Sequence, residues 1–235
     1  MSIKTRKMDP GLRRAWTQIV TGEDYDEHMA GIGQAQAGAS LTCQIVRAAD
    51  PPAGGCVVIA GAGTGQALDF VDPALFQPFR LTFTDLNPAF LARLARRLAK
   101  YGLVATVLED DIEQTAIEPS PDLLLATLLL EHIDWRRGVE AIAGLHPAAC
   151  GIVIQENPEG MTSAITPGRK LPPSIAKATE IAHATLVPRQ DLIAAFAACG
   201  YVCQGAWSRE VADGKKLVAM LFGRHEPLAR ATRDG

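Results

Sequence analysis

Three alternating glycines stand out as residues that could bind a small molecule. The segment Gly61–Gly65 has the sequence GAGTG and directly follows the apolar run Cys56–Ala60. Glycine permits the positive φ angles of a tight turn and lets a ligand approach the main chain closely. A helix that begins just after such a turn directs its free N–H groups at that ligand. The pattern therefore predicts a binding loop, although a plain strand-to-helix turn is the alternative.

The spacing of these glycines bears on which ligand the loop could hold. A dinucleotide-binding loop has the pattern G-x-G-x-x-G, or ends in alanine. Counted from Gly61 the last position is Gln66, and counted from Gly63 it is Leu68, so both frames end in a bulky residue. No lysine follows Gly65, which excludes the phosphate loop of nucleoside triphosphatases. The spacing disfavours a nicotinamide-dependent oxidoreductase, which we keep as a rival hypothesis.

Two carboxylates follow the next two apolar runs of the chain. Asp85 comes directly after Leu81–Thr84, and Asp111 comes shortly after Val104–Leu108. Ligands of open parallel sheets bind beyond the carboxyl ends of the strands. Asp85 could accept hydrogen bonds from both hydroxyls of a ribose, or it could cap the next helix. Asp111 could accept an adenine amino proton, with Asp110 as the rival for that contact.

The elements that would position these residues are predicted from periodicity. Short apolar runs alternate with helical patterns, which favours a mostly parallel sheet with crossover helices. In the clearest helix Asn87 is a capping residue and Pro88 fits the first position, where no N–H is needed. Further strands are expected at Asp122–Ala126 and Gly151–Gln155. The chain ends in a hairpin with strands at Val202–Val211 and Lys216–Phe222.

Two further segments are expected to shape the site. Residues 1–50 are predicted to form a helical cap over one end of the sheet, while residues 51–235 form the main domain. The segment Asn157–Pro173 is rich in Pro, Gly, Ser and Thr and is predicted to be a long functional loop. An apolar lining that includes Met29, Leu129 and Met161 indicates a small organic ligand.

The segments together resemble the class I S-adenosylmethionine-dependent methyltransferases. The resemblance rests on VIAGAGTG, FTDLNP, LEDDIE and PDLLLATLLLEHI, in that order, and covers roughly Cys56 to Arg224. It implies an α/β, Rossmann-like seven-stranded sheet, mostly parallel with an antiparallel last strand and helices on both faces. It also implies S-adenosylmethionine as the cofactor and a small organic methyl acceptor, whose reacting O, N or C atom stays open.

The resemblance also implies which residues bind the cofactor. The glycines would cradle the methionine moiety, Asp85 would hold the ribose, and Asp111 with Ile112 would bind adenine. The segment Leu128–His132 would line the methyl-donor pocket. The full expected set is Gly61, Ala62, Gly63, Gly65, Asp85, Leu86, Asp111, Ile112, Leu128 and Tyr25. For Tyr25, which would lie near the methionine carboxylate, a solvated turn is the equal alternative.

Three residues are candidates for catalysis: His132, Glu131 and His28. A histidine near a strand end can act as a base near neutral pH, but it can equally brace the helix that begins at Asp134. The positive charge of the donor already activates its methyl group, so the protein mainly has to align the reactants and exclude water. No His, Cys or Asp set has metal-ligand spacing, so no metal is expected.

Composition excludes several other classes of protein. The net charge of -3 and the pI of about 6.0 do not suit a duplex-binding protein. The resemblance adds that nucleic-acid amino methylases of this family carry a proline-aromatic motif such as NPPY after the fourth strand; here that position reads LLLEH, which disfavours methylation of bases. The basic cluster of Lys4, Arg6, Lys7, Arg13 and Arg14 is interpreted as a solvated face, with binding of an anionic partner as the alternative.

No apolar run is long enough to span a membrane, and no signal segment is evident, so a cytoplasmic protein with reduced cysteines is expected. The oligomeric state stays open, with a homodimer as one option. A non-catalytic nucleoside-binding protein of the same fold is the remaining hypothesis.

Overall fold

A computed structural model describes residues 10–166 and 168–224. Within these residues one mixed sheet has the strand order β3-β2-β1-β4-β5-β7-β6. Its strands are β1 (Cys56–Ala60), β2 (Arg80–Asp85), β3 (Ala105–Glu109), β4 (Leu123–Thr127), β5 (Ala149–Glu156), β6 (Tyr201–Glu210) and β7 (Lys216–Arg224). The last strand, β7, is antiparallel to both of its neighbours, and β1 to β5 are parallel. This architecture confirms the fold that the sequence predicts.

Helices cover both faces of the sheet. They are α1 (Pro10–Arg14), which continues as a π-helical turn at Ala15–Ile19, α2 (Gly22–Gly31), α3 (Gln34–Ala49), α4 (Pro88–Lys100), α5 (Trp135–Gly144), α6 (Pro173–Thr179) and α7 (Arg189–Ala198). Short 3-10 turns lie at Gln66–Phe70, Pro73–Leu75, Ile112–Gln114, Leu130–His132 and Ala212–Gly214. Helix α4 begins as predicted, because Asn87 Oδ1 accepts hydrogen bonds from the N–H groups of Ala89 and Phe90.

Two apolar cores lie on opposite faces of the sheet. Alternate residues of β1 and β4 point to each, so Val57 and Leu123 face one core and Val58 and Leu124 the other. Helices α3 and α4 close the first core, and α5 and α7 close the second. Such a leucine contributes about 1.5–3 kcal/mol on burial. The strands are therefore apolar on both faces, as a parallel sheet covered by helices requires.

Helix α3 lies across a face of the sheet, although the sequence analysis places the N-terminal segment over one end. Leu41 and Ile45 are fully buried and pack in the same core as β1, β4 and β7. Gly151 of β5 allows this close approach, because a Cβ at that position would overlap the Ile45 side chain. Residues 10–31, by contrast, cover the carboxyl edge of the sheet, and a domain boundary at residue 50 stays a prediction.

Two local details differ from the sequence prediction. The sequence predicts a strand from Val104, but β3 begins at Ala105. Val104 is 91% exposed and lies outside the sheet. Helix α6 begins at Pro173, the last residue of the predicted loop, and continues through residues for which the sequence predicts no element. Its Ile175 and Ala178 are buried against Ala15 and Val20, so distant residues of the N-terminal segment stabilise this short helix.

Candidate functional site

A large cavity opens at the carboxyl ends of β1, β2, β4 and β5. It contains about 1690 Å³ of empty space, a figure that includes the open solvent at its mouth. The predicted site residues that line it are Gly61, Gly63, Asp85, Leu86, Asp111, Ile112, Leu128, Tyr25, His28, Glu131 and His132. Ala62 and Gly65 lie in the same loop but do not line the cavity. The parallel sheet thus brings residues from distant segments to one edge.

The glycine loop has the tight geometry that its sequence indicates. Gly61, Gly63 and Gly65 have φ angles of 62°, 59° and 73°. A Cβ on Gly61 would lie 2.7 Å from Cδ1 of Leu129. Both the backbone angles and the space around the loop therefore require glycine at this position.

Asp85 is hydrogen-bonded to the glycine loop. Its Oδ2 accepts a hydrogen bond from the Gly63 N–H at 2.8 Å, and its Oδ1 accepts one from the Asn87 N–H at 2.9 Å. Burial raises the pKa of this carboxyl, and the hydrogen bonds from Asn87 and Gly63 oppose that effect. Each oxygen keeps further acceptor capacity, because a carboxylate oxygen accepts about two hydrogen bonds. Asp85 thus braces both the loop and the start of α4 while it lines the cavity.

The structure separates the roles of the two aspartates that follow β3. Asp110 accepts hydrogen bonds from Thr115 Oγ1 at 2.8 Å and from the Ala116 N–H at 2.7 Å, so its oxygens hold the local turn. Asp111 Oδ1 accepts a hydrogen bond from the Glu113 N–H, and its Oδ2 accepts one from Arg13 Nη1 at 2.9 Å. Of the two carboxylates, the Asp111 side chain is the one with a described hydrogen bond to a distant element of the fold.

Arg13 of the basic N-terminal cluster is exposed, as expected of a solvated face, but it also has an ionic partner. Its guanidinium forms the ion pair with Asp111 at the edge of the cavity. Arg14 is exposed, as expected. Lys4, Arg6 and Lys7 lie outside the described residues. No local pattern indicates the Arg13 contact, because the partners are 98 residues apart.

Tyr25 lies directly over the glycine loop. A Cβ on Gly63 would be 3.4 Å from the Tyr25 Oη. The ring also packs against Phe90 and Trp16, with centroid separations of 5.2 and 6.1 Å. Burial and the nearby carboxylates of Asp85 and Asp26 raise the pKa of the phenol. A solvated turn is therefore the wrong description of this segment.

Asp26, which the sequence analysis did not assign to the site, fixes α2 to the loop. It accepts hydrogen bonds from Thr64 Oγ1 and from Nη2 of Arg93 and of Arg97, the latter two at 3.0 and 2.7 Å. Arg97 also donates to the Thr64 carbonyl at 2.7 Å. No pattern could have indicated this cluster, because its members come from three separate segments. It holds α2, and with it Tyr25, against the glycine loop.

Glu131 is the most deeply buried candidate for catalysis. It is 3% exposed, and its Oε1 accepts a hydrogen bond from the Gln155 N–H at 2.7 Å. Its Oε2 has no partner among the described residues. Burial raises the pKa of this carboxyl to about 7. Glu131 can therefore exchange a proton near neutral pH.

The two histidines have different surroundings. Burial lowers the pKa of His132 to about 4, and its ring packs edge-on against Trp16 with centroids 4.5 Å apart. The pKa of His28 is lowered by burial and by the positive charges of Arg169 and Lys215. Both imidazoles are thus held in the neutral form, and no described hydrogen bond joins them to each other or to Glu131.

The remaining wall of the cavity is mostly apolar. Leu128, at the end of β4, has a φ angle of 53°, a left-handed conformation that costs a non-glycine residue about 1–2 kcal/mol. Met29 and Leu129 line the cavity as expected. Met161 does not, so its expected contribution to the lining is wrong.

Across residues 10–166 and 168–224, no three His, Cys, Asp or Glu side chains are placed to bind a metal ion. In the same part of the chain, none of the helices has the length and apolar character of a membrane span.

Part of the chain matches a known protein family in sequence. A family model described as "Methyltransferase domain" matches residues 58–148, which include the glycine loop, Asp85, Asp111 and Glu131. No curated protein matches the chain in sequence.

Many solved structures share the fold. Magnesium protoporphyrin IX methyltransferase from Synechocystis PCC 6803, with bound SAH, has 14% identity and a TM-score of 0.63 over 92% of this chain and 93% of that one. Geranyl diphosphate C-methyltransferase from Streptomyces coelicolor has 12% identity and a TM-score of 0.58 over 79% of each chain. The cyclase SpnF has 11% identity and a TM-score of 0.62 over 80% of this chain and 81% of that one.

Proposed function

We propose that this chain, whose residues 58–148 match a methyltransferase domain, is a class I methyltransferase that transfers the methyl group of S-adenosylmethionine to a small organic acceptor. The observation that carries the proposal is the hydrogen bond from the Gly63 N–H to Asp85 at the floor of the cavity. It places a carboxylate beside a glycine turn at the carboxyl edge of a parallel sheet, where nucleosides bind.

The residues of this edge fit the parts of the proposed donor. Asp85 would accept hydrogen bonds from the ribose hydroxyls, since each of its oxygens keeps a free acceptor position. Asp111 with Ile112 would bind adenine, and Leu86 would lie beside the nucleoside. The turn formed by Gly61, Ala62, Gly63 and Gly65 would hold the methionine moiety, covered by Tyr25, while Leu128 would lie next to the methyl group.

The donor supplies a methyl group on a positively charged sulfur. In the proposed reaction a lone pair of the acceptor forms the new bond to carbon. The carbon–sulfur bond breaks, its electron pair stays on sulfur, and a neutral thioether is left. An acceptor O–H or N–H then loses its proton, and Glu131 or solvent takes it. The protein mainly aligns the reactants in an enclosed, largely apolar cavity.

Glu131, His132 and His28 stay the candidates for proton transfer. Glu131 suits the role of base best, because its carboxyl has a pKa near 7 and one oxygen without a described partner. His132 would act as a neutral hydrogen-bonding group, since its pKa of about 4 prevents protonation at neutral pH. His28 lies beside Arg169 and Lys215 and would contact the acceptor.

Calorimetric titration with S-adenosylmethionine and S-adenosylhomocysteine tests the proposal. Asp85→Asn keeps the shape of the side chain but removes its charge, and we expect at least a tenfold loss of affinity, about 1.4 kcal/mol. Asp191→Asn is the control, because Asp191 is exposed on α7, away from the cavity. Equal affinity of wild type and Asp85→Asn for the donor would refute the assigned site.

The rival functions predict other results. Tight NADH binding, seen as a change in its fluorescence, would favour an oxidoreductase instead. The similarity to the cyclase SpnF favours a second candidate, an enzyme of this fold that catalyses a reaction other than methylation. Mass spectrometry of a broad acceptor panel would then show no methylated product in spite of donor binding.

A further inference from the structure

A buried cation without a counter-ion lies in the wall of the cavity. Lys215 directly precedes β7 and is 6% exposed. Its Nζ donates a hydrogen bond to the Ala164 carbonyl at 2.7 Å, and no carboxylate of the described residues is within ion-pair distance. An ammonium has three N–H donors, so two of them have no described partner. Burial of an unpaired charge is costly, which indicates that this position serves a ligand.

The neighbouring charges do not neutralise Lys215. Asp213 is an acidic group that acts electrostatically on Lys215, but both Asp213 oxygens bind Arg169, at 2.7 and 2.8 Å. Thr166 also donates to Asp213. The Arg169–Asp213 pair is neutral as a unit, and His28 is kept uncharged by its surroundings. One net positive charge therefore remains at this end of the cavity.

A polar framework fixes the direction of the lysine. The Ala164 carbonyl that accepts from Lys215 also accepts a hydrogen bond from Gln155 Nε2 at 2.9 Å. Gln155 Oε1 in turn accepts one from Gln34 Nε2 at 2.6 Å. Because the carbonyl is held from two sides, the Lys215 ammonium has a defined position. Lys215 is therefore held in place by its surroundings, unlike a mobile surface lysine.

We propose that Lys215 binds a carboxylate of the methyl acceptor, which is accordingly a small organic acid. The inference rests on the proposed function and names the substrate class. A monoanionic carboxylate balances the single positive charge, whereas a phosphate dianion would leave an unpaired negative charge in a buried site. The largely apolar wall of the cavity, which includes Met29 and Ile32, suits the organic body of such an acid.

The position of Lys215 in the sheet separates this subsite from the donor loop. Lys216 pairs with Glu156 across β7 and β5, so Lys215 lies at the carboxyl end of β5. The glycine loop follows β1, and the order β1-β4-β5-β7 puts three strand spacings, about 14 Å, between the two positions. The lysine is therefore placed for the far end of an acceptor, rather than for the carboxylate of the donor itself.

Binding of acid and amide pairs to the protein saturated with S-adenosylhomocysteine tests this proposal. The probes are 4-hydroxycinnamate, indole-3-acetate and 4-aminobenzoate, each compared by calorimetry with its primary amide and with a phosphate monoester of similar size. We expect at least one acid to bind wild type at least tenfold more tightly than its amide and its phosphate counterpart. Lys215→Met should abolish this preference, and Lys215→Arg should retain it.

Lys216→Met is the matched control, because Lys216 is the exposed neighbour in the chain. Unchanged affinity of Lys215→Met for S-adenosylhomocysteine shows that the variant is folded, and Lys215→Gln provides a second neutral variant. The proposal is overturned if no acid is preferred, if a phosphate is preferred, or if the preference survives in both neutral variants. A loss of S-adenosylhomocysteine affinity in both of them would assign the lysine to the donor and overturn it as well.

Failure of the proposed function gives a different result. If the cavity does not hold the donor, wild type does not bind S-adenosylhomocysteine; if it holds the donor for another reaction, wild type binds it but methylates no acceptor of the panel. The acid and amide comparison would be made with the unliganded protein, where a preference that depends on Lys215 would still support a carboxylate subsite.

Discussion

Arg13 donates a hydrogen bond to Asp111 Oδ2 at 2.9 Å and so joins the N-terminal segment to the end of β3. This carboxylate is also the proposed adenine contact. The N-terminal segment and the nucleoside would therefore draw on the same carboxylate. The ion pair would close the cavity edge in the free protein and yield when the donor binds.

We expect Arg13→Ala to leave the donor affinity unchanged or to raise it by up to about fivefold. The reason is that a half-exposed ion pair contributes only about 0–1 kcal/mol, and the donor would no longer have to displace it. Calorimetry with S-adenosylhomocysteine measures the change. Arg14→Ala, an exposed neighbour, is the control. A large loss of affinity in Arg13→Ala alone would instead show that Arg13 contacts the donor.

Gly65 is expected to tolerate alanine less well than Gly54. Both have positive φ angles, 73° and 76°, so alanine costs about 1–2 kcal/mol at either position. A Cβ on Gly65 would also overlap the fully buried Leu94 side chain, whereas the space around Gly54 is open. We therefore expect Gly65→Ala to lower the free energy of unfolding by at least about 1 kcal/mol more. Equal urea midpoints for the two variants would contradict this steric argument.

Asp26→Asn is expected to loosen α2. The substitution leaves Arg93 and Arg97, both largely buried, without their shared carboxylate, at a cost of about 1–3 kcal/mol in the free energy of unfolding. Donor affinity should fall several-fold, because Tyr25 would no longer be held over Gly63. Thermal unfolding and calorimetry measure the two effects. Glu27→Gln, at an exposed neighbour, should change neither, and an equal effect of both variants would argue against the cluster.

Glu131 and His132 are expected to change the free energy of unfolding in opposite senses with pH. Burial raises the Glu131 pKa from 4.5 to about 7, so the folded protein retains a proton that the unfolded chain has lost. That stabilisation is complete below pH 4.5 and is lost as the pH rises to 7. Burial lowers the His132 pKa from 6.5 to about 4, so acidification from pH 6.5 to 4 favours the unfolded chain. The two effects oppose each other between pH 4.5 and 6.5.

Glu131→Gln removes one of these opposing effects. We expect the variant to lose stability more steeply than wild type on acidification between pH 6.5 and 4.5, by up to about 3 kcal/mol. Urea unfolding at a series of pH values measures the difference. Glu140→Gln, an exposed change on α5, should follow the wild-type curve. A Glu131→Gln curve parallel to that of wild type would show that the buried carboxyl does not titrate in this range.

The sequence by itself determined the sheet and the loop beside it. Cys56–Ala60 is apolar on both faces, glycines follow it, and Asn87 with Pro88 starts a helix, so each of these elements is indicated by residues within a short stretch of the chain. The positions of Asp85 and Asp111 at strand ends followed from this pattern, because parallel strands end at one edge of a sheet. The resemblance then added the identity of the donor.

The tertiary structure alone decided what surrounds that loop. The contacts of Arg13 with Asp111 and of Asp26 with Arg93 and Arg97 join residues 67 to 98 positions apart, and no local pattern predicts them. The burial of Lys215 is of the same kind, because a lysine in a turn is ordinarily solvated. Such features depend on which segments cover the edge of the sheet, and that depends on the packing of the whole chain.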